Sequence, residues 1–133
     1  MSARILIVED EALVALELEE LLTDAGYKVI GMVADQASLR SICEQPELAL
    51  VDVNLRDGPS GPVIARQLAN GFGTKIVYVT ASSSDIGEPA PTTVGVIQKP
   101  FCEQTVLAAV DFATNGKSEM MSPPPGLRPI RPN

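Results

Sequence analysis

The apolar residues of this chain fall into short continuous runs, which alternate with segments whose apolar positions recur at helical spacing. Short continuous runs are typical of strands that are buried on both faces of a parallel sheet. Five such strands are predicted, over residues 5–8, 27–33, 48–51, 75–79 and 94–98. Helices are predicted up to Gly26, from the loop at 58–62 to about Gly71, and from Phe101 to about Asn115, with a short one from Asp35 through Cys43.

Strands that alternate with helices form right-handed βαβ units. We therefore expect an α/β fold with a doubly wound, five-stranded parallel sheet that is covered on both faces. The pattern weakens between residues 80 and 94, where Gly87, Pro89 and Pro91 occur. Because proline removes a helix hydrogen bond and clashes with the preceding turn, we expect a shortened or irregular fourth helix there.

The composition changes at Lys117. Five of the last 17 residues are proline, including the run at 123–125. Proline-rich segments of this kind favour extended or disordered chain over a packed core. The sequence therefore predicts one domain over residues 1–116 and a flexible, proline-rich tail over 117–133.

Charge and composition exclude several classes of function. The chain has 10 basic and 17 acidic residues, a net charge of −7, which argues against direct binding to nucleic acid or to an anionic membrane. It has no histidine, which excludes Ser-His-Asp and Cys-His catalysis, histidine-ligated zinc and a phosphohistidine carrier. Two cysteines provide no disulfide framework, and neither a membrane-spanning run nor a signal peptide is apparent, so we expect a cytoplasmic protein.

Polar residues follow the strands at the edge of the sheet where ligands bind in open α/β folds. They are Glu9 and Asp10 after the first strand, Asp52 after the third, Thr80 after the fourth and Lys99 after the fifth. Three carboxylates brought together repel one another unless one is protonated or a cation binds. Ligands that are all oxygen suit Mg²⁺, so we expect a magnesium site.

The same edge suits phosphoryl chemistry. A cation, the Lys99 ammonium and the Thr80 hydroxyl would surround Asp52 with groups that stabilise phosphoryl oxygens. A carboxylate can itself attack phosphorus and form an acyl phosphate. The residues therefore predict reversible phosphorylation of Asp52.

From about Ala3 to Asn115, the sequence resembles the receiver domain of two-component response regulators. The matching segments are ILIVEDE at 5–11, LVDVNL at 50–55, DGPSG at 57–61, VYVTAS at 77–82 and QKPF at 98–101. The resemblance implies a flavodoxin-like sheet of order 2-1-3-4-5. It also implies that Asp52 is the phosphoacceptor, and that the bond from Lys99 to Pro100 is cis.

The resemblance also implies a role for each site residue. Asp10, Asp52 and the backbone carbonyl of Asn54 are expected to bind the metal, and Glu9 to support it indirectly. Thr80, Lys99, Asn54 and the backbone of Ala81 are expected to contact the phosphoryl group.

The sequence departs from this family at two places. Val96 stands where the family usually has an aromatic switch residue, three positions before the lysine. The segment 83–93 is short and contains proline where the family has its fourth helix. Our hypothesis is that the chain signals by rearranging or ordering residues 81–95, and not by turning an aromatic side chain.

The most direct interpretation is a stand-alone receiver that is not an enzyme toward a separate substrate. The resemblance implies that the donor is a histidine kinase or a histidine phosphotransfer protein, and because the chain lacks histidine this donor must be another molecule. Output would pass through contact with an unidentified downstream protein, without direct binding to nucleic acid or membrane. The alternatives are a phosphate sink and a pseudo-receiver that binds partners without phosphorylation, and the tail is alternatively a linker remnant. A dinucleotide-binding domain is disfavoured because no G-x-G-x-x-G follows the first strand.

Overall fold

The computed structural model describes residues 3–115 and 122–130. Within them lie the strands β1 (Arg4–Val8), β2 (Lys28–Val33), β3 (Leu48–Val51), β4 (Lys75–Thr80), β5 (Thr93–Gln98) and β6 (Leu127–Arg128). The α-helices are α1 (Ala12–Asp24), α2 (Gly61–Phe72) and α3 (Glu103–Thr114). The sheet has the order β2-β1-β3-β4-β5-β6, with the first five strands parallel and β6 antiparallel to β5.

The expected doubly wound sheet of order 2-1-3-4-5 is confirmed. The central strands are buried on both faces: Ile5, Leu6, Ile7 and Val8 of β1 each have no exposed surface. Alternate residues of the strands pack into two apolar layers, one with α1 and α3 and the other with α2. Because both faces are covered, ligands reach the sheet only at the ends of its strands.

The segment after Asp35 forms a single 3₁₀ helix, Ala37–Ser41, and not the predicted helix through Cys43. Asp35 still acts as a cap, since its Oδ1 accepts a hydrogen bond from the Ser38 N–H at 2.8 Å. The Ser41 hydroxyl donates to the Ser38 carbonyl at 2.7 Å. Such local side-chain bonds compete with helical backbone bonds, which explains why the helix stops early.

The expected irregular fourth helix is also confirmed. Between β4 and β5 the only helical turn is a 3₁₀ turn, Ser83–Asp85, within this fully described stretch. The remainder is anchored to the layer beside α2 by the buried side chains of Ile86 and Ala90. The Ala90 N–H also donates to Oη of the buried Tyr78 at 3.3 Å.

Beyond the five predicted parallel strands, the structure has a two-residue strand at residues 127 and 128 of the predicted proline-rich tail. Leu127 pairs with Ile97 and Arg128 with Val96, so β6 adds a sixth strand at the β5 edge. The Leu127 side chain is 3% exposed and belongs to the layer beside α1 and α3. A strand of two residues is too short for a periodic pattern, which is why the proline-rich composition suggested a flexible tail. Residues 117–121 and 131–133 of the predicted tail lie outside the described residues.

No helix in the described part of the chain is long and apolar enough to cross a membrane.

Candidate functional site

Three carboxylates meet where β1 and β3 end. The two strands are parallel neighbours and pair Val8 with Val51, so the residues after them are adjacent. Glu9, Asp10 and Asp52 each place a carboxylate oxygen within 4.8 Å of the others. Glu9 and Asp52 are buried, at 4% and 8% exposure, whereas Asp10 is exposed. This all-oxygen cluster fits a hard divalent cation.

The Lys99 side chain reaches the same cluster from the end of β5. Its Nζ donates to Oε1 of Glu9 at 2.5 Å and to Oδ2 of Asp52 at 3.0 Å. When all four groups are ionised, three carboxylates and one ammonium leave a net charge of −2. The lysine therefore offsets part of the repulsion and leaves a site that attracts a cation.

The protonation of this cluster depends on burial. Burial raises the pKa of the Glu9 carboxyl from 4.5 to about 7, with a further increase from the Asp52 charge, although the Lys99 hydrogen bond opposes it. Burial alone would lower the pKa of the Lys99 ammonium, but its bonds to Glu9 and Asp52 outweigh burial and raise that pKa. The Lys99 ammonium therefore stays charged at neutral pH, while the Glu9 carboxyl is partly protonated there.

Thr80 completes the site from the end of β4. It is 1% exposed, and its Oγ1 accepts a hydrogen bond from the Ser82 N–H at 3.0 Å. Its carbonyl accepts a bond from the Lys99 N–H at 3.0 Å, which ties the ends of β4 and β5 together. A small hydroxyl is thus held at the edge beside the acidic cluster.

One open cleft of about 320 Å³ is lined by Asp10, Asp52, Thr80 and Lys99. Its lining residues are Asp10, Glu11, Asp52, Asn54, Leu55, Thr80, Ala81, Ser82 and Lys99. The structure therefore brings together the residues for which sequence predicted phosphoryl or direct metal contact. Glu9 lies behind the cleft, against Lys99 and Asp52.

The remaining predicted positions lie outside the cleft lining. Val96 is 2% exposed and packs in the apolar layer beside α2. The peptide bond from Lys99 to Pro100 is cis, as expected. Val96, which is not aromatic, is therefore a core residue of β5 and does not line the cleft.

Gly61 is a positioning residue that the sequence analysis treated only as a loop former. A Cβ at this position would lie 1.9 Å from the Asp52 carbonyl oxygen. Gly61 begins α2, and its N–H donates to the Val53 carbonyl at 3.0 Å. The available signal was the glycine in DGPSG, because an invariant need for close backbone approach is a common reason for glycine.

Glu9, which is expected to support the metal indirectly, also contacts Lys99 and the backbone of Glu11. The hydrogen bond from Lys99 to Glu9 is shorter than the one from Lys99 to Asp52. The Glu9 Oε2 also accepts a bond from the Glu11 N–H at 3.2 Å. Glu9 thus connects the lysine to the loop that carries Asp10.

Comparison with known proteins agrees with this geometry. Residues 5–111 match the family model of the response regulator receiver domain. The chain is 34% identical to the phyllosphere-induced regulator PhyR of Methylorubrum extorquens over 118 residues, which are 85% of this chain and 44% of that protein. It is 32% identical to the transcriptional regulatory protein PdtaR of Mycobacterium tuberculosis, over 84% of this chain and 57% of that protein.

Solved structures give the same result. The solution structure of the PhyR receiver domain from Erythrobacter litoralis has a TM-score of 0.71 and 33% identity, covering 84% of this chain and 89% of that one. The receiver domain of a modulated diguanylate cyclase from Desulfovibrio desulfuricans has a TM-score of 0.72 and 26% identity, covering 91% and 100%. The chain spans about half the length of PhyR and PdtaR themselves. It belongs to the response regulator receiver domain family.

Proposed function

We propose that the chain is a phosphoacceptor of a two-component phosphorelay, and that it receives a phosphoryl group on Asp52. The observation that carries this proposal is the position of the Asp52 carboxylate, which lies 3.0 Å from Lys99 Nζ and lines the same cleft as Thr80. The proposed donor is a phosphohistidine of a histidine kinase or a histidine phosphotransfer protein, in keeping with the receiver family; it must lie on another protein because this chain has no histidine.

In the transfer, a carboxylate oxygen of Asp52 attacks phosphorus while the bond from phosphorus to the donor's imidazole nitrogen breaks. The electron pair of that bond leaves with the imidazole, and Asp52 becomes an acyl phosphate. Lys99 then donates to a phosphoryl oxygen in place of the Asp52 carboxylate. Thr80, Ala81 and Asn54 line the cleft around the new group. We assign the Thr80 hydroxyl, the Ala81 N–H and Asn54 as the groups that contact its oxygens.

The cluster of Asp10, Asp52 and Glu9 supports Mg²⁺ as the cofactor. We assign Asp10, Asp52 and the Asn54 carbonyl as the groups that hold it, and Glu9 as an indirect contributor. When bound, Mg²⁺ would neutralise negative charge on the phosphoryl oxygens.

The chain is proposed to act on its own Asp52 and not to turn over a separate substrate. The open cleft leaves room for a water molecule, whose attack on the acyl phosphate would return Asp52 to its free form. The lifetime of the phosphorylated state would then depend on how Lys99 and Thr80 shield the phosphorus.

The donor is proposed to dock beside α1. A second open cleft, of about 490 Å³, adjoins the first through Ala81 and Lys99. Val14 of α1 and Phe101 give it an apolar wall, and Leu13 nearby in sequence is 82% exposed. A protein that brings a phosphohistidine to Asp52 would cover this surface.

The output is proposed to be contact with a downstream protein. The net charge of −7 disfavours direct binding to nucleic acid or to an anionic membrane. Cys43 and Cys102 are exposed and free, which fits a reducing compartment such as the cytoplasm.

The central experiment is incubation with acetyl phosphate and Mg²⁺, followed by intact-mass measurement. The wild type should gain one phosphoryl group and Asp52→Ala should gain none. Asp111→Asn removes an exposed carboxylate of α3 away from the cleft, and it should behave like the wild type. A wild type that gains no phosphoryl mass, or an Asp52→Ala variant that gains as much, would refute the proposal and favour a pseudo-receiver.

A further inference from the structure

The free side of β5 is covered by the chain's own C-terminal segment. Without β6, β5 would be an edge strand of the sheet, and its sequence TVGVIQ carries no charge. Uncharged, apolar edge strands readily pair with strands of other chains. In the structure, β6 pairs with two of the six residues of β5, namely Val96 and Ile97.

Two glycines permit this docking. A Cβ at Gly95 would lie 2.7 Å from the Arg128 carbonyl oxygen and 2.8 Å from Leu127 Cδ1. A Cβ at Gly126, which has φ of +89°, would lie 2.5 Å from Cγ2 of Thr105. Glycine inside a strand weakens it unless another backbone approaches closely. Gly95 is therefore explained by the strand that lies against it.

The docked segment is also held by side chains on both faces of the sheet. Leu127 is 3% exposed in the layer beside α1 and α3, and Ile130 packs against the layer beside α2. The β5 edge thus offers a buried site for one aliphatic side chain and backbone pairing next to it.

The sequence of the segment limits its own pairing. Pro125 precedes Gly126, and Pro129 follows Arg128. Because proline has no N–H to donate, it ends a ladder of strand hydrogen bonds. A strand that continues antiparallel past Arg128 without proline would also lie beside Gly95 and Val94, and would extend the two-residue pairing that β6 makes.

We propose that the β5 edge is a docking site for an extended strand of a partner protein, and that β6 is the chain's own competitor for it. The partner strand carries an aliphatic residue in the place of Leu127, is antiparallel to β5 and lacks proline in the three residues that follow. It binds by adding a strand to the sheet, with backbone bonds for affinity and the Leu127 site for selection. This docking does not depend on phosphorylation of Asp52, so failure of either proposal leaves the other standing.

The test uses the full-length, unphosphorylated chain and two six-residue peptides with blocked ends. The first, Gly-Leu-Arg-Val-Thr-Val, keeps the sequence of residues 126–128 and replaces the prolines after it. The second has aspartate in place of leucine. Backbone amide signals of Val94, Gly95, Val96 and Ile97 are followed by NMR as each peptide is added up to millimolar concentration.

The first peptide should shift these signals in the wild type. It should also shift the signals of Leu127 and Arg128, because it displaces β6 from the β5 edge. In Gly126→Val, whose own segment no longer fits beside Thr105, the same peptide should bind about tenfold tighter, because fewer molecules have the site occupied. Arg128→Ala, which removes an exposed side chain, should match the wild type. The aspartate peptide should bind none of them.

Equal affinity for the wild type and Gly126→Val, or no binding to either, would overturn the proposal and leave β6 as a structural cover only. Leu127→Asp is the second variant if Gly126→Val does not fold, since it places a charge in the buried site and should also release the segment. A Leu127→Asp protein that keeps its sheet but does not bind the first peptide would overturn the proposal as well.

Discussion

The Lys99 ammonium donates to the Asp52 carboxylate over 3.0 Å, although the two residues are 47 positions apart in the sequence. The same ammonium contacts Glu9, which is 90 positions away. One side chain from the end of β5 thus links two acids at the ends of β1 and β3. The contact places a positive charge where a phosphoryl group on Asp52 would develop negative charge, and it connects the stability of the fold to the chemistry of the site.

Lys99→Met should destabilise the protein and impair phosphorylation. It leaves Glu9 and Asp52 buried beside each other without their shared donor, and loss of such charged hydrogen bonds costs about 1.5–3 kcal/mol of unfolding free energy. Added Mg²⁺ should recover part of the loss. Urea unfolding with and without Mg²⁺ measures the loss of stability and its recovery, and acetyl phosphate labelling measures the phosphorylation.

The matched control is Lys28→Met. Lys28 also bonds a carboxylate, Glu44, at 3.0 Å, but both side chains are about half exposed. An exposed pair contributes less than about 1 kcal/mol, so this variant should be nearly neutral. Equal losses in the two variants would contradict a special role for the buried contact.

Stability should fall as pH rises through the range from about 4.5 to about 7, because of Glu9. The folded-state pKa of Glu9 is raised to about 7, above its ordinary value of 4.5. In that interval the folded protein keeps a proton that the unfolded chain releases, so raising the pH favours unfolding. Unfolding free energies measured across this range should show the slope in the wild type, and a weaker one in Glu9→Gln.

The affinity for Mg²⁺ should change in the opposite direction. Ionisation of Glu9 adds negative charge to the cluster, so Mg²⁺ should bind more tightly as pH rises toward about 7. Calorimetric titration at several pH values measures this. Glu17→Gln, a change at an exposed residue of α1, should leave both pH dependences as in the wild type.

Gly61→Ala should destabilise the fold and reduce phosphorylation of Asp52. The added Cβ would lie 1.9 Å from the Asp52 carbonyl oxygen, so either α2 or the backbone of the phosphoacceptor must move. Overpacking of this kind costs about 1–3 kcal/mol. Thermal unfolding and acetyl phosphate labelling measure the two effects.

Gly71→Ala is the control for that substitution. Gly71 lies in the same helix, is exposed, and has no atom within 4 Å of an added Cβ. Alanine in a helix is favoured over glycine by up to about 1 kcal/mol, so this variant should be slightly more stable. A comparable loss of stability in Gly71→Ala would contradict our attribution of the Gly61→Ala loss to the contact with Asp52.

The position of the site was predictable because topology alone brings strand ends together. Asp52, Thr80 and Lys99 each follow an apolar run, and neighbouring parallel strands end at one edge of the sheet. Which acid Lys99 contacts most closely was not predictable, since it depends on side-chain conformation and on the burial of Glu9. No pattern of periodicity contains that information.

Two features of the fold escaped sequence analysis for different reasons. The need for glycine at Gly61 arises from its close approach to the Asp52 carbonyl across the β3–α2 connection; the glycine in DGPSG signals a close backbone approach, but only the structure identifies Asp52 as the partner. The strand β6 has only two residues, in a proline-rich segment, and its order comes from Leu127 entering an existing core. Composition predicts disorder correctly only when no such site is available.

A phosphoryl mimic on Asp52 should change amide exchange in residues 81–85 and leave 86–93 largely unchanged. The first segment touches the cleft, where Ala81 and Ser82 line it and Thr80 Oγ1 accepts from the Ser82 N–H. Residues 86–93 are held against the core, because Ile86 is buried and the Ala90 N–H donates to Tyr78 Oη. If the segment 81–95 rearranges on phosphorylation, we therefore expect the change to be confined to residues 81–85.

Hydrogen exchange followed by mass spectrometry, with and without beryllofluoride and Mg²⁺, measures this. Tyr78→Phe removes the hydroxyl that accepts from Ala90, so exchange in 86–93 should rise in that variant with or without the mimic. Exchange in β1, which is buried and lies between β2 and β3, should stay constant and serves as the internal reference. Unchanged protection of residues 81–85 in the wild type would refute a signal carried by this segment, because the Thr80 and Ala81 contacts would then not be transmitted beyond the cleft.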